Sequence, residues 1–154
     1  MRNRNFIEDN EAARLELNQL IAHLGERSTD TAVESGWTIS TSLCHLAFWD
    51  QRVLFLLKEW ENSGRIDTVR LNSQSLNSIN HAVKAISEAV AGPDAAQLAL
   101  DAASAVDSYL QGISDALVEQ LVSVGFERYL RRSLHRREHL QKMRASLERR
   151  LHDG

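Results

Sequence analysis

A single proline, Pro93, stands in a chain of 154 residues that holds seven glycines. Proline removes a backbone donor and clashes with the preceding helical turn, and glycine in a helix loses the most conformational freedom. Their scarcity leaves long uninterrupted segments, which predicts helix. A length of 154 residues with 43% hydrophobic and 25% charged residues suits a single domain, 1–154, able to bury a real core. No apolar run approaches the roughly 20 residues that span a bilayer, and the opening "MRNRNFIEDN" lacks the apolar stretch of a signal peptide. One cysteine, Cys44, excludes an internal disulfide framework and fits a reducing cytoplasm.

Apolar spacing divides the chain into segments. Leu17, Leu20, Ile21 and Leu24 recur at helical intervals and predict a first helix over 6–25, with Leu15 also counted and Gly25 as the stop. The polar stretch "ERSTDTAVESG" reads as a loop. Thr38 is suited to cap a second helix that runs to Ser63 and ends at Gly64. Its apolar positions cover well over half the circumference, so it is expected at the centre of the fold. "GRIDTVRLNSQSLN" reads as a crossover loop and "SINHAVKAISEAVAG" as a short helix. Pro93 suits the first turn of a third long helix reaching Ser123, and Gly125 separates it from a fourth over 126–151. Four long helices with one long connection after the second describe an all-α four-helix bundle with a crossover.

The net charge of −3 conceals an asymmetry. Residues 127–152 carry nine Arg and Lys against three Glu, leaving nine basic against eighteen acidic residues elsewhere. A basic terminal helix on an acidic body raises nucleic acid as a partner. The better reading is helix-terminal and interhelical pairing, because no aromatic residues interleave with the basic ones as in single-strand binders. Neither nucleic acid nor membrane is an expected partner. A bundle with such apolar faces is expected to form a homodimer.

His135 and His139, four residues apart, fall one turn apart on one helix face, with side-chain origins about 6 Å from each other. Two imidazoles at that spacing can share a metal ion. The same row continues through Met143, Leu147 and Leu151, which draws the pair toward the apolar seam. His45 heads a comparable row with Trp49, Val53, Leu56 and Trp60 on the second helix. Each ring alone is equally well a hydrogen-bonded core or surface histidine. Together, three neutral imidazoles suit zinc, nickel or another divalent ion, and they leave a coordination position open, as reactive sites do.

"GWTISTSLCHLAFWD", residues 36–50, resembles the first motif of the DinB-like family of bacterial four-helix-bundle proteins, which includes the YfiT-type proteins; Trp37, Thr38, Leu43, His45, Trp49 and Asp50 fill it. His135 and His139 match the family's second motif, a late helix with two histidines four apart, and the resemblance spans essentially the whole chain. It implies that His45, His135 and His139 bind one divalent metal. Characterised members of that family include transferases using low-molecular-weight thiols such as bacillithiol or mycothiol, and thiol-dependent maleylpyruvate isomerases. The implied chemistry is a metal with an open position that lowers the pKa of a thiol or water, making a small-molecule nucleophile at neutral pH. No side chain stands out as the catalytic group.

Other residues are open to more than one reading. Asp50 orients a ligand histidine, caps a loop or is an exposed helix acid. Arg132 and Arg136 flank the histidine face and can meet an anionic substrate, or are solvated. Asn80 and His81 open the middle segment and can line a pocket mouth, though His81, His23 and His152 read as surface residues. Cys44 reads as a small buried hydrophobe, Trp49 and Trp60 as core, and Glu138 as solvent-facing. Three functions stay in contention. The first is a metal-dependent thiol S-transferase or hydrolase, and the second a non-catalytic metal or ligand binder. The third is a dimerisation scaffold whose histidines are separately hydrogen-bonded to backbone carbonyls.

Overall fold

The computed structural model describes residues 4–25, 28–34, 36–67 and 70–154. Among them are seven α-helices: α1 (Asn5–Ala22), α2 (Ile39–Ser63), α3 (Ser73–Ser87), α4 (Gly92–Gln111), α5 (Asp115–Ser123), α6 (Glu127–Leu130) and α7 (Arg132–His152). A small antiparallel ribbon pairs β1 (Ala32–Glu34) with β2 (Trp37–Thr38). None of these helices is long and apolar enough to cross a membrane.

The start of α2 follows from its first residues. The Thr38 hydroxyl accepts from the Thr41 amide at 3.2 Å, and the Thr41 hydroxyl accepts from the Thr38 amide at 2.9 Å. This reciprocal box satisfies two amide donors that a helix start otherwise leaves unpaired. Gly64 ends α2 at φ 67, a left-handed conformation that a side chain resists. Between these caps, α2 packs against α4, α3 and α7, while α1 packs against α7 and α4. The face of α4 toward the interior is small: Ala95, Ala99, Ala102 and Ala103 are all buried, so α2 can approach it closely.

The core has two apolar clusters. One gathers Phe6, Val53, Leu57, Trp60, Val106 and Leu110. The other gathers Leu17, Ile39, Leu43, Leu46, Ala99 and Leu140. Along α1, α2 and α7, buried polar residues fall between the two sets: Asn10, Asp50, and Arg132 with Arg136. Asp107 of α4, also buried, joins them.

Several segment limits differ from the spacing argument. The first helix stops at Ala22, short of Gly25. Leu15, counted among its apolar positions, is half exposed. Part of the expected loop after it forms the ribbon, with Gly36 at φ 81 in its turn; Glu26, Arg27 and Ser35 of that loop lie outside the described residues. The crossover stretch is shorter than expected, because the Asn72 side chain accepts from the Ser75 amide at 2.8 Å and starts α3 there. Thr68 and Val69 of that stretch lie outside the described residues.

The third helix is broken in two. Gly112 ends α4, and the Ser114 hydroxyl accepts from the Leu117 amide at 3.1 Å to cap α5. A serine that bonds its own neighbours competes with the helix ladder. The fourth helix is interrupted at Arg131, with φ −95 and ψ 71. Asn10 stabilises that break: its amide donates to the Leu130 carbonyl at 2.8 Å, and its carbonyl oxygen accepts from the Ser133 amide at 2.8 Å. A buried backbone donor and acceptor near the break are thereby paired.

Candidate metal centre

The break before α7 sets the direction from which its first two turns meet α2. His135 and His139 occupy successive turns of α7, and His45 lies in the second turn of α2. Ring centroids are 5.2 Å apart for His45 and His135, 4.5 Å for His45 and His139, and 4.8 Å for His135 and His139. One nitrogen from each ring lies within 4.8 Å of those of the other two. His45 is 7% exposed and the other two rings are half-buried. Trp37 meets His45 edge to face at 5.4 Å and Trp49 stands 6.3 Å from it, so indoles wall the imidazole. Trp49 itself is fixed by donating to the Asn80 side-chain oxygen at 3.0 Å.

The hydrogen bonds assign the tautomers. Arg132 Nη2 donates to His135 Nδ1 at 3.3 Å. A neutral His135 then carries its proton on Nε2 and donates to His45 Nε2, which lies 3.2 Å away. His45 must in turn carry its proton on Nδ1, and that buried nitrogen has no hydrogen-bond partner among the described residues. A buried unpaired donor costs roughly 1–3 kcal/mol.

The residues fit a divalent ion in donor type and number, and His45 with His135 fits it in spacing. Two nitrogens bound to one tetrahedral ion at about 2.0–2.1 Å stand roughly 3.3 Å apart, and the two Nε2 atoms are 3.2 Å apart here. One contact must adjust. The second nitrogen of a ligating histidine usually donates to an acceptor, whereas Arg132 presents a donor to His135 Nδ1. That contact is long, so a small rotation of the guanidinium releases it.

Protonation favours ligation. Burial first, then the charges of Lys142 and Arg132 and the neighbouring His139, bring the His45 pKa down to about 3. Burial, then Arg132, hold His135 well below the ordinary histidine value. Burial also lowers His139, against the pull of Glu138. Near neutral pH all three rings are uncharged, the form that binds metal. The same shifts couple to folding. Unfolded histidine takes up protons near pH 6.5 and these rings do not, so below that pH the unfolded chain binds more protons and stability falls with falling pH. In chelator, the melting temperature of the wild-type protein is expected to drop between pH 7 and pH 5 more steeply than that of His45→Gln. Thermal unfolding across a pH series checks this, and equal slopes would contradict it.

Beneath the rings lies the buried charge layer. Arg132 Nε donates to Asp50 Oδ1 at 2.8 Å. Asp50 Oδ2 accepts from Arg136 Nε at 3.2 Å and Nη2 at 3.1 Å. Arg136 also forks onto Asp107, at 2.9 Å and 2.8 Å, and donates to the Asn10 carbonyl at 3.1 Å. Arg14 completes the layer on Asp107 at 3.2 Å. Burial opposes the Arg136 charge, yet Asp50 and Asp107 together hold its pKa above the ordinary guanidinium value.

Asp50 is therefore buried at 1% exposure, anchoring Arg132 and through it His135, and the reading as an exposed acid is wrong. Arg136 is wholly buried and committed to two carboxylates, which removes it from any encounter with an anionic substrate. Cys44 is buried, as expected, and burial pushes its thiol up, so it is not poised as a nucleophile. His23, His81, His152 and Glu138 are exposed, and Trp60 is core. Asn10, Asp107 and Arg14 were not singled out from the sequence. A signal existed: Phe6, Asn10, Ala13 and Leu17 form one helical seam with an amide inside it.

Two cavities open on the rings. One of about 180 Å³ is lined by His45, His139, Trp37, Glu34 and Lys142. The other, about 610 Å³, reaches all three imidazoles. The class of molecule so defined is a mainly helical protein with a partly buried three-histidine group able to hold a metal ion. Comparison with protein-family models, with curated proteins and with solved structures returned no match.

Proposed function

We propose that this chain is a DinB-like metal-dependent protein, a thiol S-transferase or hydrolase acting on a small molecule through a divalent ion, zinc or nickel, held by His45, His135 and His139. In this reading α1, α2, α4 and α7 form the four-helix bundle, the stretch between α2 and α4 containing α3 is the crossover, and α5 with α6 extends the link to α7. The observation that carries it is the convergence of three imidazoles from two helices on the lining of an open cavity. A scaffold with separately satisfied histidines would instead keep the rings apart, each on a backbone carbonyl. A divalent ion there would lower the pKa of a bound thiol or water. The chain's own part is to keep the rings uncharged, wall His45 with Trp37 and Trp49, and keep Arg132 anchored on Asp50 beside His135.

Calorimetric titration of untagged protein with a low-molecular-weight thiol, in zinc-loaded and chelated forms, tests the transferase reading. Thiol binding is expected in the loaded form alone. A loaded protein that ignores thiol contradicts the transferase and leaves the hydrolase or the non-catalytic binder.

A further inference from the structure

We infer that the larger cavity is built for an organic anion with a flat apolar body, its charged group met by Arg52 and Arg70 and its other end presented to the imidazoles. The inference deepens the metal-site reading and rests on it only for which end of the ligand reacts. The cavity, about 610 Å³, is of a size that encloses a small organic molecule. Phe126 and Tyr129 pack edge to face at 5.5 Å on its wall, with Leu71 and Leu76 nearby.

The charges on that wall are not balanced. Arg132 is matched by Asp50 at 2.8 Å, and Arg128 lies 3.6 Å from Glu138. Arg52 and Arg70 have no carboxylate partner among the described residues. Arg52 reaches the Tyr129 hydroxyl at 3.5 Å and lies 5.4 Å over the Trp49 ring. Arg70 donates to the Val124 carbonyl at 3.1 Å and lies 4.8 Å over the Phe126 ring. The two guanidinium groups thus hold the two members of the Phe126–Tyr129 pair, with donors to spare. Guanidinium forks match carboxylate and phosphate oxygens, and aromatic contacts fix their planes. The smaller cavity differs: its Lys142 is paired with Glu34 at 2.8 Å, so the excess positive charge belongs to the larger one. Among the described residues Glu138 is the one carboxylate lining the larger cavity, and Arg128 already faces it.

The test is calorimetric titration of zinc-loaded protein with benzoate, phenyl phosphate and the uncharged benzamide. Wild type, the double variant Arg52→Gln with Arg70→Gln, and His45→Ala are compared, with metal content measured on each. In wild type at least one anion is expected to bind about tenfold or more tighter than benzamide, the effect of a charge-assisted contact. Whether benzoate or phenyl phosphate leads tells carboxylate from phosphate. The double variant should lose that preference while keeping its metal, and His45→Ala should keep the preference while losing its metal. Absence of any anion preference in wild type overturns the inference, as does its survival in the double variant. Loss of the preference in His45→Ala, with the double variant unaffected, places the anion on the metal and overturns it too. Failure of the metal reading shows separately, as wild-type protein that takes up no zinc yet still prefers the anion.

Discussion

Arg136→Met is expected to destabilise the protein by roughly 3–5 kcal/mol, the range for removing one partner of a buried ion pair. Among the described residues Arg136 is the one cation touching both Asp50 and Asp107, and each of these carboxylates is at most 7% exposed. Without it, Asp50 retains Arg132 and Asp107 retains Arg14, but the bidentate pair and the bond to the Asn10 carbonyl are gone. The methionine fills much of the space, so the loss reports charge left uncompensated and not a cavity. At roughly 2–4 °C per kcal/mol for a chain of this size, the melting temperature should fall by on the order of 10 °C. Arg137→Met removes the same charge one residue on, from a half-exposed pair with Glu16 at 3.1 Å. It should change stability by less than about 1 kcal/mol. Thermal and urea unfolding of the two variants side by side check this, and equal effects would mean that the buried layer contributes nothing beyond a surface pair.

The second large effect is on metal affinity. His45→Ala should weaken zinc binding by more than about 100-fold, beyond the 10–100-fold typical of residues that only support a ligand. His45 is the sole ring from α2, so its loss leaves two histidines of one helix, a bidentate site with no group opposite. The fold should survive, because the two apolar clusters lie outside the ring site and supply most of the stability. Removing the ring also removes its unpaired buried Nδ1. Competition with a chromophoric chelator measures the affinity, and circular dichroism the fold. His81→Ala, at an exposed position on α3, should bind zinc as wild type does. Wild-type affinity in His45→Ala would remove that ring from the site.

The sequence was most legible where local chemistry and tertiary packing agree. Thr38 and Gly64 bound α2 as read, because a capping hydroxyl and a left-handed glycine act within a turn of the residues they limit. Pro93 opens α4 for the same kind of reason. The gathering of His45 with His135 and His139 was legible from their rows and from the resemblance, and the rings do come together. Less legible were features decided across the chain. The interruption at Arg131 depends on Asn10, more than a hundred residues earlier, reaching the Leu130 carbonyl and the Ser133 amide. Arg136 reads as a polar residue beside a histidine face, and only the arrival of Asp50 and Asp107 from α2 and α4 makes burial of its charge tolerable. A carboxylate in an apolar row, Asp50 between Ala47 and Val53, was a local hint of that layer, as was the Asn10 amide in the seam of α1.

X-ray absorption at the zinc edge of untagged, zinc-loaded protein tests the convergence of the three rings on one ion most directly. The expected spectrum has three imidazole scatterers at about 2.0–2.1 Å and one further light-atom ligand. A first shell of oxygens alone, or of a single imidazole, would contradict it.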